Sequence, residues 1–130
     1  MARVLALVPD LLFGSRVLSA LGAAGHETEL LADEARLRER LRERGEASAQ
    51  VLVVDLTGAA LDGAALVRSL LDGGELSGVR TLGFYSHVDA PTRERAERAG
   101  FDLVVPRSRM AREGAELVAR LVAPPVSAPD

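Results

Sequence analysis

The chain contains no cysteine, no tryptophan and no lysine. Without cysteine there is no disulfide, no thiol nucleophile and no thiolate metal site. His26 and His87 are the only histidines, too few for a structural zinc centre in the absence of thiolates. With no lysine, all 16 basic residues are arginine, so any chemistry that needs a lysine amine is excluded and every structural cation must be a guanidinium. Aromatic residues are reduced to Phe13, Phe84, Phe101 and Tyr85, which speaks against base-stacking platforms and leaves Leu, Val and Ala to build the core. No apolar run approaches the length of a membrane span, and Met1 leads into a strand-like segment without the basic and apolar regions of a secretory leader. The formal net charge of -3 lacks the concentrated basic face that nucleic acid requires. The expectation is a cytoplasmic protein with neither a membrane nor a nucleic acid as partner.

What remains is ordinary globular material. A length of 130 residues with 48% hydrophobic and 27% charged residues suits one domain with its own core. Short Val- and Leu-rich runs alternate with segments of helical period, the pattern of a parallel sheet wrapped by helices. Strands are expected over 3–8, 27–31, 51–55, 79–85 and 102–106. Phe13, Val17, Leu21 and Ala24 recur at helical spacing and Gly25 supplies a stop; Asp33 caps a second helix with Leu37 and Leu41 inward. Leu66, Val67, Leu70 and Leu71 mark a third helix. Pro91 opens a fourth that offers only alanine to the core and should be loosely held, and Ser108 caps a fifth with Met110, Leu117, Val118 and Leu121 inward. The charge run from Arg36 to Arg44 balances its acids and bases and reads as a solvated face with i, i+4 pairs. The domain is expected to span 1–122, with 123–130 a disordered, proline-rich tail.

Five β/α units of this size imply a doubly wound α/β fold, whose ligands sit at the carboxyl ends of the strands. Two landmarks lie there. Val53, Val54 and Asp55 end the third strand, and Leu61, Asp62 and Gly63 follow in the loop that opens the third helix. Later, Ala99, Gly100, Phe101 and Asp102 lead into the fifth strand. In these residues and their intervals the chain resembles the receiver domain of bacterial response regulators, in which an aspartate ends the third strand, a Met-Asp-Gly-like triplet begins the third helix and an Ala-Gly step precedes the fifth strand. The resemblance covers almost the whole chain. It implies five parallel strands in the order 2-1-3-4-5, a flavodoxin-like or receiver-like sheet, with Asp55 at the phospho-acceptor position.

The same comparison exposes departures. The acidic pair that would hold Mg²⁺ at the end of the first strand is replaced by Val8 and Pro9, with Asp10 as the nearest acid; the metal set implied is Asp10 and Asp55. The switch hydroxyl at the end of the fourth strand falls on Tyr85, with Ser86 beside it. Arg107, after Pro106, stands at the lysine position, and Ala59 replaces the proline of the loop after the acceptor. Aspartyl phosphorylation needs a divalent cation to neutralise the incoming oxygens and a second cation to hold the product. The first is compromised here; for the second, Arg107 is expected to project toward Asp55 and form a direct or water-bridged ion pair with it. Tyr85 is too large for the short inward shift of a threonine.

Other sites are weighed against plainer roles. Phe13, Gly14 and Ser15 could present helix-start amides to an anion but lack the glycine spacing of a nucleotide loop, and a helix start with a small cap is the plainer reading. His26 is expected in a surface turn; His87 lies beside the pocket without a visible nucleophile to serve. Three readings stay open. The first is a stand-alone pseudo-receiver without enzymatic activity that signals through protein contacts, among them self-association through the fourth helix, fifth strand and fifth helix. The second is a flavodoxin-like domain that binds a small anionic ligand or nucleotide near Gly14 and Arg107. The third is a phospho-accepting regulator with a histidine kinase partner and Mg²⁺.

Overall fold

Valine and leucine favour the pleated, doubly covered environment of a parallel sheet, and the five runs that carry them pair side by side. The computed structural model describes residues 2–58, 61–86 and 88–123. The strands are β1 (Arg3–Leu7), β2 (Glu27–Leu31), β3 (Val51–Asp55), β4 (Arg80–Tyr85) and β5 (Leu103–Pro106). They alternate with α1 (Leu11–Ala23), α2 (Glu34–Leu41), α3 (Gly63–Asp72), α4 (Ala90–Ala99) and α5 (Arg107–Val122). All pairings are parallel and the order is β2-β1-β3-β4-β5, as the resemblance implied.

Alternate residues of each strand face opposite layers. Val4, Ala6, Val51, Val53, Leu82, Phe84 and Val105 meet Phe13, Val17 and Leu21 of α1 and Met110, Leu117 and Val118 of α5. Leu5, Leu7, Leu52 and Val54 meet Leu37 of α2, Leu66, Val67 and Leu70 of α3 and Ala96 of α4 on the other side. Every residue of β3 is buried, whereas the edge strand β2 is only partly covered. Each fully buried Leu, Val or Phe contributes about 1.5–3 kcal/mol relative to exposure, so α4, with Ala96 and Ala99 as its buried residues, gains least.

Four of the helices begin behind an aspartate whose side chain accepts amides of the first turn: Asp10, Asp33, Asp62 and Asp89. For α1 this overturns the expected start at Phe13 with a small cap. Asp10 Oδ1 accepts from Leu12 N at 3.0 Å and Phe13 N at 3.2 Å, and Gly14 N donates to Asp10 O at 2.8 Å. Gly14 is therefore inside the helix, with its amide already used. Ala24, expected on the inner stripe, is the exposed C-cap. Ser108 does not cap α5, which starts at Arg107 directly behind Pro106 without a side-chain cap. Gly25, at φ 89, turns the chain out of α1 as expected, a conformation that side chains resist.

The arginine-rich α2 does more than solvate a face. Arg40 Nε donates to Glu29 Oε1 of β2 at 2.8 Å, and Arg38 Nη1 reaches Glu75 beyond α3 at 2.5 Å, so the run ties its helix to two neighbours. His26 is likewise not a surface turn residue: it is 6% exposed, Nδ1 accepts from Ala2 N at 3.0 Å, and Nε2 lies 3.2 Å from Ala115 O. One ring thus joins the start of β1 to α5, because the turn after α1 folds back beneath both. Replacing His26 with alanine leaves the buried Ala2 amide without its acceptor and should cost about 1–3 kcal/mol in urea unfolding.

Candidate functional site

The carboxyl ends of the strands converge on Asp55, the last residue of β3. Its side chain is 5% exposed, and Oδ1 accepts from Thr57 N at 2.8 Å and Thr57 Oγ1 at 2.6 Å. A carboxylate that binds the amide two residues on is a local turn motif, so Thr57 was recoverable from its spacing to Asp55, although sequence reasoning passed over it. Leu56 N donates to Phe84 O at 2.9 Å and prolongs the β3–β4 ladder past Asp55.

Around Asp55 the other expected residues divide. Val8 is buried, its N–H given to Leu31 O at 3.2 Å, while Pro9 is exposed. Asp10 follows, with Oδ1 held by the first turn of α1. Tyr85 lies at the end of β4, 7% exposed, in the apolar layer that contains Ala96 and Phe101; Ser86 beside it is half-buried. Phe84 points to the opposite layer, its ring 5.0 Å from that of Phe13. His87 and Ala59 lie outside the described residues.

Arg107 departs from expectation. Rather than pairing with Asp55, it sets its guanidinium carbon 4.2 Å above the ring centre of Phe13, with Nη2 3.5 Å from Asp10 Oδ2. Among the described residues Asp55 has no ion-pair partner within 4.0 Å. The reason is local. Arg107 is the first residue of α5, Phe13 lies on the neighbouring helix α1 in the same layer, and a planar cation gains from an aromatic face as well as from the nearby carboxylate. No three of the described His, Asp or Glu side chains cluster as a metal site.

On the opposite side of Asp55 the Leu61, Asp62 and Gly63 triplet forms a second polar centre. Asp62 caps α3 by accepting from Ala65 N at 3.1 Å, and Arg95 of α4 meets it through two bonds of 2.8 Å, one to each oxygen. The Arg95 bonds first, and the Ala65 amide second, hold the Asp62 carboxyl below its ordinary 3.8. Leu56, Gly58, Leu61 and Thr92 complete a cleft of about 230 Å³ around this fork. Gly63 is required by space: a Cβ there would stand 2.7 Å from Leu56 Cδ2 and 2.7 Å from Val54 Cγ1. No sequence signal singled out Arg95, since it is one of several arginines on a polar helix.

No protein-family profile matches the chain, and no curated protein sequence does. Solved structures do. The receiver domain of the TMAO respiratory response regulator TorR superimposes with a TM-score of 0.80 at 20% identity, covering 94% of this chain and 97% of that one. The Vibrio cholerae chemotaxis protein CheY4 gives 0.78 at 16% identity, covering 94% and 99%. The receiver domain of the Pseudomonas aeruginosa sensor kinase PA1611, solved with magnesium in its active-site cleft, gives 0.76 at 17% identity, covering 92% and 96%. The chain has the receiver fold.

Two substitutions check this geometry. Gly63→Ala should destabilise the fold by about 1–3 kcal/mol in chemical denaturation, because Leu56 and Val54 must give way. Arg95→Ala should raise the Asp62 titration midpoint toward 3.8, read by carboxyl-carbon NMR. A lowered folded-state value adds stability that is complete above 3.8 and fades as the pH falls through the folded value, so this variant should also lose less stability on acidification.

Proposed function

We propose that the chain is a receiver-fold signalling module that acts through protein contacts, with Asp55 in the acceptor position but without phosphoryl transfer to it. The observation that carries this reading is the double engagement of Asp10: one oxygen caps α1 and the other faces Arg107. Val8 and Pro9 replace the acidic pair of the resembling family, so Asp10 is the nearest carboxylate that could join Asp55 around a divalent cation. A hard cation such as Mg²⁺ wants near-octahedral oxygen ligands; taking Asp10 for that purpose would uncap the helix and release the arginine. The residues present do not fit the ion well.

The remaining parts support the same reading. Arg107, at the lysine position, is turned onto Phe13, and Tyr85 is packed into the core instead of standing as a small mobile hydroxyl. The signal then passes by contact to another protein, without a reaction catalysed by this domain. The polar outer side of α4 offers such a surface: Arg93 faces Glu97 and Arg98 faces Glu94 in exposed i, i+4 pairs, the helix burying only alanines beneath them. A histidine kinase is not needed for this mode, and self-association through α4, β5 and α5 is one form it could take.

The test is intact-mass spectrometry after incubation with acetyl phosphate and millimolar Mg²⁺, paired with thermal melts in the same buffers. No phosphoryl adduct and no Mg²⁺-dependent shift in melting temperature are expected. A stable adduct that disappears in Asp55→Asn would overturn the reading.

A further inference from the structure

At the amino ends of β3 and β4, the pole opposite Asp55, the segments after α2 and α3 enclose a hollow of about 320 Å³. That volume lies at the small end of the range of ligand sites. Its floor is apolar, with Leu41 buried and Ala49 and Val79 half-buried. Gly45 and Gly78 border it at φ 72 and 77, and a Cβ at either would meet nothing within 4 Å, so this part of the rim is bare backbone. Charges of both signs face the same space. Glu43 Oε1 accepts from Arg40 Nη1 at 2.8 Å and Glu75 Oε2 from Arg38 Nη1 at 2.5 Å, while the second oxygen of each has no partner among the described residues. Arg44 is the reverse case. Its Nη1 donates to Leu41 O at 3.1 Å and Glu43 O at 3.3 Å, which pins the guanidinium at the end of α2. Most arginines of this chain face a carboxylate within 4.0 Å, but Arg44 has no such partner among the described residues.

We propose that this hollow binds a free α-amino acid with an apolar side chain, its carboxylate on Arg44, its ammonium on the open oxygens of Glu43 and Glu75, and its side chain over Leu41, Ala49 and Val79. A guanidinium takes a carboxylate in two-point geometry, and an ammonium brings three donors to carboxylate oxygens. A simple anion would meet two glutamates with nothing to offset them, and a phosphate, with its higher charge, would meet them at greater cost. A simple amine would leave Arg44 without an acid. A ligand that carries both charges close together satisfies both sides, and the apolar floor gives its side chain a place out of water. No bond is made or broken on the ligand. The site lies at the other end of the sheet from Asp55, so it stands independently of whether that residue accepts a phosphoryl group.

The experiment is titration of the full chain with L-leucine, followed by amide NMR, with isocaproate, isoamylamine and L-aspartate as separate arms. Saturable shifts at Gly45, Ser77 and Gly78 are expected with leucine. Isocaproate, which lacks the ammonium, and isoamylamine, which lacks the carboxylate, should each bind about tenfold more weakly, the loss of one charge-assisted contact. Arg44→Ala and Glu75→Gln should weaken leucine by a similar factor, Arg38 keeping Glu34 in the second variant. Arg16→Ala, in the layer on the other face of the sheet, should bind as the parent does. Absence of saturable shifts overturns the proposal, as does undiminished affinity in both site variants. The analogue arms use the parent chain, so they decide the matter even where Arg44→Ala unfolds for want of its bonds to the end of α2. Isocaproate binding as tightly as leucine overturns the role of the glutamates, and isoamylamine doing so overturns that of Arg44. Aspartate binding as tightly overturns the assignment of an apolar side chain. Loss of binding in Arg16→Ala would put the site on the other face and overturn its placement.

Discussion

A parallel sheet covered on both faces has no water against its central strand, and this constraint shapes the rest of the molecule. All five residues of β3 are buried, so four of them are Val or Leu and the only polar one, Asp55, comes last, where the strand leaves the sheet. Even there the carboxylate is almost closed off, and a buried charge must be given donors at once. Thr57 supplies two of them from the loop that immediately follows. The position of the site and the local turn that stabilises it thus share one cause.

The absence of lysine gives that site its character. An ammonium on a flexible stem can thread toward a buried carboxylate as a point charge, while a guanidinium is a rigid plane that gains most from a flat partner or a two-point acceptor. Both solutions appear here. Arg107 lies on Phe13, and Arg95 grips both oxygens of Asp62. Elsewhere arginines on α2 join β2 and the segment after α3. Exposed pairs of this kind contribute little stability each, but they fix which elements meet, and they hold α4 where its alanines alone would bury little.

Similarity in shape with receiver domains extends over nearly the whole chain at 16–20% identity among the structures compared. A shared fold leaves chemistry open, because function resides in particular side chains at the strand ends. Here the scaffold is kept while its polar groups are redistributed. Asp10 serves a helix start and an arginine, and the arginine serves an aromatic ring. The outcome is a strand-end surface rich in guanidinium and hydroxyl donors beside a carboxylate that has been sequestered.

The elements themselves were legible in the sequence because each depends on neighbours along the chain: alternating apolar runs for strands, three- and four-residue spacing for α1, α3 and α5, Gly25 as a stop, and Asp55 at a strand end. Strand order followed from the resemblance in landmark spacing. What tertiary structure decided was partnership through space. His26 looked like a turn residue because nothing near it in sequence reveals that α5, some ninety positions later, lies over it. Arg107 was expected on Asp55 because both close strands of the same sheet, yet a helix that begins one residue after a strand turns its first side chain toward the adjacent helix, where Phe13 and Asp10 wait. Arg95 could not be told from the other arginines by sequence, since its role comes from the carboxylate that faces it across the fold. Local order is set by short-range sterics and periodicity; the pairing of charges is set by distances that exist only once the helices have packed on the sheet.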